Sequence, residues 1–366
     1  MSASSPTATG QTVAAPAAKA EAGALSLRWI ISAREDLVWF IGSVASSYAL
    51  FALYVSGLLP LVPMMVAWAV LVDAPHVFGT FSRTYFDREE RQGRARLLWG
   101  SLAFFLVGPL AVLAGLGFFF FFAAAVWAYY HLVKQHYGFM VLYKKKNGDL
   151  ARADNALDRA FLLLAFAYPF VAFVARDAEA MARVPAPLAG LAGRLAQVLF
   201  VATLAAAAVW LARQVQRGVR REPLDVPKYL LLAAAVPMHW VVLLTPMPHQ
   251  PIAVVAMLTV YHNLQYHRLV WFHNRKYKEC DDGRGRHGAA ALISRRLLTY
   301  VAFGVLFGIW YQVPRQYVNH AMNQETFRTQ LVSAFLWGYA LVHYYLDSKI
   351  WRVRRDPSVG KALRMD

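Results

Sequence analysis

Apolar residues gather along this chain in long blocks rather than in strand-like alternation. Each block can cross the ~30 Å of bilayer hydrocarbon as a helix, which takes about 20 residues. Ten blocks are legible, at 37–59, 61–81, 97–115, 117–142, 158–175, 188–211, 229–246, 250–272, 292–311 and 329–347. Pro60 and Pro63 punctuate the first turn, and the Pro246–Pro251 stretch separates the seventh block from the eighth. Only Gly115, Leu116 and Gly117 divide the third from the fourth. Residues 1–27 are rich in Ala, Ser, Thr and Gly and lack the basic start and apolar run of a secretory signal, so they read as a disordered cytoplasmic tail. The pattern predicts an all-α, polytopic transmembrane bundle over 28–350, followed by a basic cytoplasmic tail at 351–366.

Composition agrees with that pattern. Of 366 residues, 58% are hydrophobic and 16% charged, whereas a soluble domain carries roughly 25% charged residues. A soluble enzyme or a disordered protein is excluded. The single cysteine, Cys280, excludes an intramolecular disulfide and a CxxC zinc site.

The net charge of +17 changes the picture through its placement. Taking the ten blocks as spans, 32 of the 38 Lys and Arg fall on one side, five (Arg176, Arg183, Arg194, Arg315, Arg328) on the other, and Lys134 within a helix. The basic side is the cytoplasmic one by the positive-inside rule, which places both termini inside. The charge therefore reads as topology rather than nucleic-acid binding. The expected home is a bacterial inner membrane.

Histidines carry the candidate chemistry. His76 lies near the inner end of the second block, His131 and His136 near that of the fourth, His262, His267 and His273 near that of the eighth, and His343 near that of the tenth. Even-numbered blocks run from outside to inside, so all four clusters share one depth. Ionisable side chains inside a bilayer are costly and tend to mark function. Neutral imidazoles converging from several helices suit iron or zinc. Asp347, four residues after His343, and Asp73, three before His76, are placed to ligate or to orient a ring. Gln135 and Gln265 lie on the faces of His131 and His262, where they could hydrogen-bond ligand or substrate, and Tyr137 stands beside His136 as a further catalytic candidate. Arg83, Arg268 and Lys349 sit just beyond the clusters, as an expected clamp for an anionic headgroup.

His131 and His136 are five residues apart, which leaves their rings roughly 140° apart on a regular helix, and the same holds for His262 and His267. One histidine per helix is therefore the core expectation. His262 and His273 share a face by the same arithmetic. His239, His249 and His320 read as structural, and His287, near Asp281 and Asp282, as solvated.

This arrangement resembles the integral-membrane non-haem iron oxygenases. The His131/His136 spacing looks like a histidine box of the fatty-acid desaturase and hydroxylase superfamily, although the paired HxxHH boxes of that group are absent. It is more similar to the Brp/Blh-type carotene dioxygenases, which place single histidines on separate membrane helices around one iron. That resemblance implies His76, His131, His262 and His343 as ligands, with His136 and His267 as alternates. It also implies one or two iron ions (or zinc), a lipid-like or isoprenoid substrate drawn from the membrane lipids, and an electron donor. The rival expectations are a haem protein, a metal-free membrane acyltransferase and a proton-coupled transporter.

Overall fold

The computed structural model describes residues 25–279, 283–322 and 326–365. The expected N-terminal tail before Leu25, together with Cys280, Asp281, Asp282 and the side chain of His320, lies outside that description. About 81% of the chain is helical. Eight helices are long and apolar enough to cross a membrane: α1 (Ala33–Val55), α2 (Leu61–Thr84), α3 (Ala95–Leu113), α4 (Gly117–Asn147), α5 (Arg152–Arg176), α6 (Ala186–Val219), α7 (Val226–Leu244) and, after the next, α9 (Leu297–Val318). Two more helices, α8 (Gln250–His273) and α10 (Phe327–Ile350), have 24 residues each. Their length suffices to span, but their histidines, tyrosines, glutamines and asparagines dilute the hydropathy. The physical reason is their position, because a helix enclosed by other helices need not be apolar on its outside. In α8, residues as polar as Gln250, His262, Asn263, Gln265 and His273 are buried.

Helix ends follow local chemistry. Gly115 (φ +73°) breaks the chain between α3 and α4, and Gly148 (φ +71°) caps α4 after a last turn of three lysines, with both signals suiting a helix C-terminus. Asp225 caps α7, its side chain accepting from the Lys228 N–H. The helices α4 and α6 run to 31 and 34 residues, beyond the apolar stretches, because hydropathy marks only the part that lipid covers.

The bundle packs as pairs: α5 with α6, α3 with α10, α9 with α2, α1 with α8, and α7 against α5. Leucines and valines such as Leu106, Leu110, Val198, Val201 and Leu306 remain exposed on α3, α6 and α9, a surface fit for lipid and not for water. Small residues set the close approaches. A Cβ on Gly308 would lie 2.2 Å from the Val70 carbonyl oxygen, and one on Gly304 would lie 3.0 Å from Pro75. The α9 backbone thus lies against residues 70–75 of α2. There α2 contains a π-helical turn, Ala69–Asp73, directly before Pro75 and His76.

Several basic residues expected as topology markers close a buried ion network instead. Lys228 reaches Asp149 at 2.7 Å and Asp158 at 3.2 Å, Lys144 pairs with both acids, and Arg217 meets Asp149 at 3.2 Å. This ties α4, α5, α6 and α7 together at one end. The chain ends are attached as well. Leu25–Ser26 pairs in parallel with Leu224–Asp225, and within 351–365 the helix Pro357–Ala362 accompanies the burial of Val359, Leu363 and Met365.

Candidate metal centre

Four helices each deliver one histidine to a common centre. Neighbouring ring centroids lie 4.5 Å (His76–His343), 4.7 Å (His76–His262), 4.8 Å (His131–His343) and 5.2 Å (His131–His262) apart. All four are buried, with His131 the least enclosed at 9% exposure and His343 at 0%. One potential ligand atom from each of His76, His131 and His262 lies within 4.8 Å of the others. A tetrahedral ion held at ~2.1 Å would space its nitrogens about 3.4 Å apart, so modest ring rotations close the set.

Hydrogen bonds assign which nitrogens His343 and His76 offer. Thr80 and the Tyr266 hydroxyl both donate to Asp347 Oδ1 at 2.7 Å. With its proton committed there, Thr80 Oγ1 accepts from His343 Nδ1–H at 2.7 Å. His343 Nε2 is then a bare acceptor, and takes the proton of His76 Nε2 at 2.8 Å. This assignment follows from the network and leaves His76 Nδ1 as a lone pair. His76 Nδ1, His131 Nε2 and His262 Nδ1 are all buried without a partner. An orphaned buried polar atom costs about 1–3 kcal/mol, and three such nitrogens on clustered rings are donors that a divalent ion could take up. The chemistry of these residues fits a borderline metal.

A second group, His131, His343 and Asp347, also gathers within 4.8 Å. Both nitrogens of His343 and Asp347 Oδ1 are already engaged there. Asp347 can therefore orient His343 through Thr80 as well as join a metal-holding group with His131 and His343. Thr80 and Tyr266 escaped the sequence reading, although each follows a clustered histidine by four residues (His76 and His262) and therefore shares its helical face.

Other expected residues fall elsewhere. The His136 ring turns away from the centre, with Nδ1 donating to the Leu132 carbonyl (3.0 Å) and the ring 5.7 Å from His239, as the five-residue spacing requires. His267 is the exception, its ring staying 6.2 Å from that of His76, but its nitrogens are engaged by the Val72 carbonyl and by Tyr300, each at 3.3 Å. His273 packs 5.5 Å from Trp351. Gln135 donates to the His262 carbonyl (2.7 Å) and Gln265 to the Phe40 carbonyl (2.7 Å), so both amides brace helices and neither addresses the centre. Tyr137 lies under the Lys134 ammonium at 4.5 Å. Asp73 accepts from Gln312 at 3.2 Å and makes no bond to His76, because the π turn and Pro75 rotate the two residues apart.

Among the expected headgroup cations, Arg268 pairs with Glu35 at 2.7 Å and Lys349 lies 5.3 Å over Tyr345. Arg83 is fully buried rather than superficial. His287, expected in solvent, is buried against Asp87 at 3.2 Å.

No protein-family model, curated protein or solved structure matches this chain. The geometry of the site itself carries the functional argument.

Proposed function

We propose that this chain is a membrane-embedded metalloenzyme, a non-haem iron oxygenase, hydroxylase or desaturase of lipid-like or isoprenoid substrates. Its ten helices would all span the bilayer, with both termini and the histidine centre toward the cytoplasm. The carrying observation is the set of three buried, partnerless ring nitrogens on His76, His131 and His262, with the His76 tautomer set from Asp347 through Thr80 and His343.

His76, His131 and His262 would hold the ion, and iron there would supply redox chemistry with dioxygen. The protein's own part is separable from that. Asp347 holds the proton of Thr80, which keeps His343 and His76 in one tautomer and orientation. The surrounding helices keep water from reactive species. His131 is the least enclosed ligand, and its ring stacks on Tyr344 at 4.5 Å, so an apolar substrate would reach the centre on that side.

The packing disfavours the haem alternative, since imidazoles 4.5–5.2 Å apart leave no plane for a porphyrin. Elemental analysis of detergent-solubilised protein tests the reading. About one iron per chain is expected; iron and zinc both far below one per chain in an active preparation would end it.

A further inference from the structure

The guanidinium of Arg83, in the last turn of α2, is wholly enclosed. Its Nε and Nη1 have no hydrogen-bond partner, and Nη2 reaches only the Ile350 carbonyl, at 3.5 Å. The Trp351 ring lies 4.0 Å from the guanidinium carbon. An arginine cannot escape this cost by losing its proton, and breaking the pairing of a buried charge typically costs several kcal/mol.

The nearby acids do not meet the need. Asp87 is occupied by the Glu89 and Glu90 N–H groups, the Tyr277 hydroxyl, His287 and, at 3.7 Å, Lys276. Asp347 faces Arg83 across the region but makes no ion pair with it, and receives Thr80 and Tyr266.

One further cation stands in the same region. The Lys276 amine is lowered from its ordinary value, first by burial and then by the Arg83 charge, with Asp87 at 3.7 Å offsetting only part of this. His273, packed 5.5 Å from Trp351, donates Nδ1–H to Asn274, so its buried Nε2 is a lone pair and adds no donor. The unmet chemistry is that of an oxyanion, which accepts several N–H donors at once and prefers guanidinium.

We propose that Arg83 and Lys276, floored by Trp351, form a binding site for a carboxylate or phosphate group at the cytoplasmic end of α2 and α8. The site adjoins the histidine centre through Trp351, whose Nε1 donates to the Tyr266 hydroxyl at 3.4 Å, and through the Tyr266 ring, 4.4 Å from His76. A molecule anchored here by its acidic group lies one aromatic layer from the metal ligands. The site stands on its own contacts and does not depend on which ion the histidines hold.

The test is thermal unfolding of the purified full chain in neutral detergent, titrated separately with inorganic phosphate and with palmitate, alongside metal content. The wild type should show a saturable rise in midpoint with at least one anion. Arg83→Gln should weaken that response at least tenfold, while its metal content stays at the wild-type level. Because Arg83→Gln could misfold, Lys276→Gln, at a side chain less enclosed than Arg83, serves as a second probe and should weaken the response several-fold. A response to phosphate alone assigns a free anion or phosphorylated co-substrate, and a response to palmitate alone assigns the substrate's own acid group. No saturable response to either anion, a response in Arg83→Gln equal to that of wild type, or an Arg83→Gln protein more stable than wild type in the presence of both anions would overturn the proposal. A loss of metal from the wild-type preparation bears on the oxygenase reading alone.

Discussion

At the scale of single residues, the centre separates candidate ligands from bystanders. His76→Ala, His131→Ala and His262→Ala should each lower bound metal at least tenfold. His136→Ala and His267→Ala should leave it near the wild-type level, since their rings are engaged by Leu132, Val72 and Tyr300. Elemental analysis of five single variants reads this directly. Asp347→Asn keeps the shape of the carboxylate and removes its charge. Loss of an outer partner of this kind weakens metal binding by roughly 10–100-fold, and a metal-competition titration would measure it; Thr80→Val should behave alike. The four central histidines were legible from a shared depth, one per helix. The relay was not, because Thr80 and Tyr266 look like ordinary polar residues until His343 arrives from a helix 263 positions away in sequence.

At the scale of helices, the approach of α9 to α2 positions His76. Gly308→Ala would set a methyl 2.2 Å from a backbone oxygen that has no rotamer to yield. We expect a loss of about 1–3 kcal/mol, read as a lower unfolding midpoint, together with reduced metal content as the π turn before His76 shifts. Gly218→Ala, where no atom lies within 4 Å of the added carbon, should do neither. Hydropathy located the helices and the proline and glycine breaks between them. It could not show that α8 and α10, the least apolar of the long helices, are the ones enclosed. It also could not tell cations facing water from Lys144, Arg217 and Lys228, which meet Asp149 and Asp158 inside the protein.

At the scale of the whole molecule, the ion network joining α4 to α7 makes stability depend on pH. Burial alone would raise the Asp149 carboxyl, but Lys228, Lys144 and Arg217 outweigh it and hold the group at about 2. Its native value lies below the ordinary ~3.9, so its contribution is complete above pH ~4 and is lost as pH falls toward 2. That contribution is about 2 kcal/mol. Unfolding between pH 7 and 2 should show it, and Asp149→Asn should flatten that acid limb while lowering stability at neutral pH. Topology is testable at the same scale. With Cys280 replaced by serine, single cysteines introduced near residues 150 and 360 should react with an impermeant thiol reagent only from the cytoplasmic face, and one near residue 184 only from the opposite face.

The order of apolar blocks and the asymmetry of Lys and Arg determined the helical, membrane-compatible character of this chain, because transfer from water to hydrocarbon is a property of each segment taken alone. The spacing of histidines within one helix likewise determined that His131 and His136 could not share a regular-helix centre. Tertiary structure decided the rest: which ring nitrogens stay without a partner, where Asp347 spends its charge, and that Arg83 is enclosed. Each of these depends on which side chains from distant helices meet, and a hydrogen bond or an unpaired charge exists only once both neighbours, or their absence, are set in space.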